Sequence, residues 1–269
     1  MKTWTMAWFT LRETVRSRTM ITGLVLSLLY LAIIPILSSP SSSTTLVGEV
    51  SSGSTAGRDF LSFALGGLNL IAMIMAILTT LGAIHTEVEN GTMYTVVTKP
   101  VRRWQIILGK WAGHAMLMGG YVLVMGMALW LSVIVGSGSL VWSFFPSIAL
   151  ICLNVITMVS LTLMFSTFTP IIANAIFVFI IFILSSNLRI ISAISETSGN
   201  LAIVILANLL RLLLPVSEVS ILAGRFLKDE TAAGAAVFSP RGWSFAYEMV
   251  YISAILLLAT LIFRRKDLR

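Results

Sequence analysis

Residues that could do chemistry are crowded into one short stretch of this chain. Glu87, Glu89, Lys99, Arg102, Arg103 and Lys110 lie within residues 85–110, with His85 at its start and His114 just beyond its end. These are the chain's 2 histidines, and two imidazoles without a third ligand make a poor metal site. The single cysteine, Cys152, allows no intrachain disulfide and no thiolate-based zinc site. The methionine pairs Met73/Met75, Met116/Met118 and Met125/Met127 offer thioethers suited to copper. Residues two apart do not share a helix face, however, so adaptable packing is the simpler use. A phosphate-binding loop of the form G-x-x-x-x-G-K-[ST] is missing: Gly109-Lys110 is followed by Trp111, and position 104 is Trp. ATP, if it is used, is bound elsewhere.

What residues 85–110 offer is shape and contact. Asn90-Gly91 reads as a turn, Gly91 being free to take positive φ, and Thr92 as the cap of a short helix through Thr98. Pro100 stops that helix, and a second one from Val101 runs into the membrane at Lys110. A short helix rich in β-branched residues is marginal by itself in water. Met93, Val96 and Val97 supply an apolar contact, with Glu87, Glu89, Lys99, Arg102 and Arg103 as a charged rim. Two readings of that contact stay open: a protein partner at the cytoplasmic face, or packing on the chain's own bundle and on lipid headgroups.

The elements that position this stretch follow from hydropathy. The 269 residues are 57% hydrophobic and only 11% charged, against roughly 25% charged in a soluble domain, and the mean hydropathy is +0.97. A soluble globular protein is excluded. No Asp, Glu, Lys or Arg occurs from position 111 to 188. A crossing needs about 20 apolar residues, which gives six transmembrane helices in an all-α polytopic fold, near 20–37, 60–86, 111–135, 147–167, 171–186 and 245–263. Residues 38–57 read as a polar loop, and Gly136-Ser-Gly-Ser139 and Thr167-Phe-Thr-Pro170 break the long uncharged stretch. Trp4, Trp8, Leu11 and Val15 recur at helical spacing, so residues 1–18 read as an amphipathic helix lying in the interface. A cleaved leader is disfavoured, since residues 20–37 are longer than the usual apolar core and Ser38-Ser-Pro40 is no Ala-x-Ala site.

Residues 187–244 read as an extracytoplasmic segment. Within it, Leu201–Val216 is apolar but short and holds Arg211, whose insertion costs about 2.5–3.5 kcal/mol. It reads as a re-entrant or interfacial helix rather than a seventh span. The net charge of +7 comes from basic residues placed beside apolar runs, where they orient the chain with both termini cytoplasmic and contact headgroups; nucleic acid is not an expected partner. The spans carry almost no ionisable groups, against an ion-coupled transporter or an intramembrane enzyme. Glu248 falls near the outer end of the last span.

The run Glu89-x-Gly91-Thr92, then Pro100-Val101-x-Arg103, then Gly109-Lys110 resembles the signature loop of the ABC-2 type permeases, membrane subunits of ATP-binding-cassette exporters. The amphipathic start, the six spans and the basic Phe263-Arg-Arg-Lys-Asp-Leu ending are similar to that family as well, so the resemblance covers the whole chain. Arg102 departs from it, standing where many relatives carry a small polar residue. The resemblance implies one permease domain over residues 1–269 that works with a separate ATPase subunit, on which ATP and Mg2+ are held. It implies a second permease chain, identical or different, with the substrate path between the two, in a bacterial cytoplasmic membrane. It implies no cofactor, metal or catalytic residue in this chain. Glu87, Glu89, Gly91, Thr92, Met93, Pro100, Arg103, Gly109 and Lys110 would then shape and attach a coupling loop, and Arg211, Pro215 and Glu218 would belong to an outer gate. A non-transporting scaffold, or an ATP-independent channel that binds cytoplasmic proteins through the same loop, is the alternative.

Overall fold

The computed structural model describes residues 2–37, 54–89, 103–137, 144–187, 204, 205, 208, 209 and 243–265. Among these the regular elements are helices: α1 (Lys2–Val15), α2 (Arg18–Leu37), α3 (Ser54–Thr80), α4 (His85–Glu89), α5 (Arg103–Ser137), α6 (Phe144–Ser166), α7 (Ile171–Ser186) and α8 (Trp243–Arg265). Four of them, over Phe63–Thr80, Trp104–Ser132, Phe144–Ser166 and Ala246–Arg264, are long and apolar enough to cross a membrane. The pair α1 and α2 meets the same test jointly, bent by 63° between them. The chain is a multi-pass helical membrane protein. α7 is apolar but has 16 residues, about 24 Å of helix against a hydrocarbon core of about 30 Å.

Each break has a local cause. Between α1 and α2 the Ser17 hydroxyl donates to the Thr14 carbonyl at 2.7 Å and accepts from the Met20 amide at 3.3 Å, so one side chain closes the first helix and caps the second. Between α6 and α7 the Thr167 and Thr169 hydroxyls return to the Met164 and Phe165 carbonyls, both at 2.6 Å. Pro170 then opens α7 with φ −65° and ψ 160°, the conformation in which proline can start a helix but not continue one.

α6 sits at the centre, packed on α3, α5, α7 and α8. Its buried residues run around nearly its whole circumference, the pattern of a helix enclosed on all sides. The protons of two of its hydroxyls stay within the helix: Ser160 and Thr162 each donate to the carbonyl four residues back, at 2.8 Å, which satisfies them where no water is present. The core is built from Leu68, Ala72, Met118, Val122, Leu129, Ile151, Val155 and Met158. Within each methionine pair of α5 one member, Met118 or Met125, is buried and the other, Met116 or Met127, is exposed, as a packing role requires.

The boundaries differ from the sequence reading in three places. α3 begins at Ser54, inside the stretch read as loop, and ends at Thr80. A turn then tightens through Ala83 N–H to the Thr80 carbonyl at 3.1 Å, and α4 follows where a plain loop was expected. The span expected near 111–135 runs on to Ser137, and the helix expected to enter it from Val101 is continuous with it, as one element, α5, of 35 residues.

Candidate coupling site at the base of the long helix

At 1.5 Å per residue α5 is about 52 Å long, well beyond what a bilayer core covers. Its start, Arg103–Lys110, is the last part of the signature stretch and is continuous with the rest of the helix.

α1 lies against this start. A Cβ on Gly109 would meet Met6 Cβ at 2.7 Å and the Thr3 carbonyl oxygen at 3.3 Å, and one on Gly113 would meet the Ala7 carbonyl oxygen at 2.7 Å and Thr10 Cβ at 2.8 Å. The two glycines, one turn apart, are the groove in which α1 rests, a small-residue contact that lets backbones approach closely. α1 turns Ala7 and Thr14 inward and leaves Trp4, Trp8 and Phe9 exposed.

The turn after α3 is tied on from three sides. Lys110, 6% exposed, donates from Nζ to the Ala83 carbonyl. The Ser166 hydroxyl, at the end of α6, accepts from the Ile84 and His85 amides at 3.1 and 3.3 Å, satisfying N–H groups at the start of α4 that have no partner within that helix. From α7, Asn174 Nδ2 donates to the Leu81 carbonyl at 2.9 Å and the Thr162 carbonyl at 3.2 Å. Beneath them Ile84, Ile106, Ile107, Leu163, Ala259 and Phe263 form an apolar cluster that brings in the C-terminal end of α8. The Trp111 indole N–H donates to the Ser160 hydroxyl at 2.8 Å.

Of the residues singled out from sequence, Glu89 ends α4 and is 68% exposed on its side chain, 3.6 Å from His85 Nε2 across one helical turn. Glu87 lies on α4 and Arg103 opens α5, with side chains outside the described residues. Gly109 and Lys110 face inward, onto α1 and onto the turn after α3. Gly91, Thr92, Met93 and Pro100, and the gate candidates Arg211, Pro215 and Glu218, lie outside the described residues.

Several functional side chains escaped the sequence reading. Ser166 and Asn174 are two, and two more lie deeper: Asn154 Nδ2 donates to Asn69 Oδ1 at 3.2 Å, and the Thr157 hydroxyl donates to Glu248 Oε1 at 3.1 Å. Glu248 is wholly buried and meets α6 near its middle, so its place by sequence at the outer end of α8 understates how far inside the bundle it reaches. The available signal was the presence of amides and a carboxyl in otherwise apolar helices, where polar side chains serve as interhelical links. Among the described residues no three His, Cys, Asp or Glu side chains converge to hold a metal ion.

The sequence profile of the ABC-2 family transporter proteins matches residues 4–268. The chain therefore belongs to the ABC-2 transporter family, as a membrane component of such a transporter. A search of the curated proteins finds no match.

Proposed function

We propose that the chain is the permease subunit of an ABC exporter, driven by ATP hydrolysis on a separate subunit that docks on residues 85–110. The observation that carries the proposal is the continuity of α5 from Arg103 to Ser137 together with its attachments. A push on the loop reaches α1 through Gly109 and Gly113, the end of α3 through Lys110, and α6 through Ser166. These elements then tip as one body between inward-facing and outward-facing states. Glu87, Glu89 and Arg103 face the ATPase, Gly91, Thr92, Met93 and Pro100 shape the segment between, and Gly109 and Lys110 fasten its base.

The full topology has six spans, with α2, α3, α5, α6, α7 and α8 on the six apolar segments. α1 lies in the inner interface with its aromatic side chains at headgroup depth, and both termini are cytoplasmic. Two permease chains form the path between them, in a bacterial cytoplasmic membrane. Leu201–Val216 dips back into the outer leaflet, with Arg211, Pro215 and Glu218 at the outer mouth. ATP and Mg2+ sit on the partner.

The test uses the chain's own cysteine as a reporter. Cys152 is half-buried on α6, and its alkylation rate in the purified complex is measured with and without ATP and vanadate. Wild type responds to trapping, whereas Glu89→Lys and Gly91→Val insert normally and lose the response. Unaltered responses in both variants would overturn the assignment of the loop.

A further inference from the structure

Below the bend between α1 and α2 lies a polar hollow of about 180 Å3, bounded by α1, the turn after α3 and the base of α5. That volume suits a small molecular group rather than one water. Its wall is chemically mixed. Thr10, Thr14, Thr79 and Thr86 line it, and each hydroxyl already donates its proton to the carbonyl four residues back, at Met6, Thr10, Met75 and Gly82. Such oxygens can only accept from a ligand. The Glu13 carboxylate, also on the wall, adds to these acceptors. Lys110 and His114 line the same hollow. His114 is 3% exposed, and its Nδ1 has no hydrogen-bond partner.

The hollow thus brings together a cation, an anion and several acceptors, groups that complement a ligand carrying both a phosphate and an N–H-bearing cation. Its position limits the source. On one side stands α1 with Trp4, Trp8 and Phe9 exposed, on the other α2 with Ile21, Val25 and Leu28 exposed, the succession of aromatic and aliphatic surface found where a bilayer's interface gives way to its core. We propose that the hollow seats the headgroup of a phosphatidylethanolamine from the inner leaflet. Its phosphate lies toward Lys110 and His114 and its ammonium toward Glu13 and the threonine oxygens. The choline headgroup, which has no N–H to donate, and the glycerol headgroup, which has no cation, match this wall less well.

The experiment is independent of any ATPase. The full-length chain, purified from its native membrane, is placed in nanodiscs of phosphatidylcholine containing equal minor fractions of phosphatidylethanolamine and phosphatidylglycerol, released in the gas phase, and the retained lipid identified by native mass spectrometry. Phosphatidylethanolamine is expected to be retained selectively. Retention falls roughly tenfold in Glu13→Gln, the loss expected for one charge-assisted hydrogen bond. Because Glu13 is exposed, that variant folds, and an unchanged thermal midpoint confirms it; Thr14→Val is a second, uncharged probe of the acceptor wall, with a smaller loss expected. Preferential retention of phosphatidylglycerol, equal retention of all three lipids, or retention indifferent to Glu13→Gln would each overturn the proposal. So would displacement by soluble phosphoethanolamine or inorganic phosphate at concentrations that leave the lipid-facing surface undisturbed, since the site would then belong to a free solute.

Discussion

Gly113 and Gly119 share helix α5 and differ in what a methyl group would meet. At Gly113 it strikes the Ala7 carbonyl oxygen at 2.7 Å, and at Gly119 it finds nothing within 4 Å. Backbone cannot give way as a side-chain tip can, so Gly113→Ala should lower the stability of the detergent-solubilised chain by about 1–3 kcal/mol, while Gly119→Ala stays within about 0.5 kcal/mol. Thermal midpoints of the two variants are the check, and equal shifts would contradict the α1 contact. The same comparison holds for two hydroxyls of α6. Ser166 serves the Ile84 and His85 amides, whereas Thr162 bonds only its own helix. Ser166→Ala should cost about 1–2 kcal/mol and speed hydrogen exchange at Ile84 and His85, with Thr162→Val leaving that exchange as it was. A glycine pair four residues apart is legible in a sequence as a place where another helix can come close. Its partner is not, because α1 reaches it from the far end of the chain and periodicity says nothing about which helix fills a groove. Ser166 was illegible for a related reason: a serine closing an apolar helix looks the same whether it bonds its own backbone or caps a neighbour.

At the scale of the element, α5 must be unbroken to carry a push from the loop to the bundle. Leu108→Pro removes a helical hydrogen bond and sets the ring against the preceding turn, at a cost of about 3 kcal/mol. The expected result is a chain that still binds its ATPase but whose Cys152 alkylation no longer responds to trapped nucleotide, with Leu108→Ala responding as wild type does. A kinked helix that still transmits would remove the role given to α5. The break at residues 167–170 was readable because Thr and Pro act locally, through φ, ψ and hydroxyl bonds to nearby carbonyls. The run of the loop helix into the span was readable as well. Pro100 marks a helix start as well as a helix stop, and nothing between Arg103 and Trp111 interrupts a helix, although hydropathy changes there. α4 escaped because its amides are satisfied by a side chain from α6, a tertiary support that a local pattern does not contain.

At the scale of the molecule, composition alone settled that the chain lives in lipid, and the uncharged stretch from 111 to 188 located the middle of the bundle. The base of α5 is where the sequence's signature and the structure's attachments coincide: α1, the turn after α3, α5, α6, α7 and α8 all meet within reach of Lys110, Ser166, Asn174 and Phe263. The exposed aliphatic and aromatic faces of α2, α7 and α8 are what lipid and a second permease chain would cover. The central claim, that this base is worked by a separate ATPase, is tested most directly by gentle purification of the tagged chain from its native membrane, with mass spectrometry and an ATPase assay of the eluate. The account predicts a stoichiometric partner carrying a phosphate-binding loop, with ATPase activity, both lost in Glu89→Lys. A chain that elutes alone and without activity, under conditions that preserve a known exporter, would contradict it.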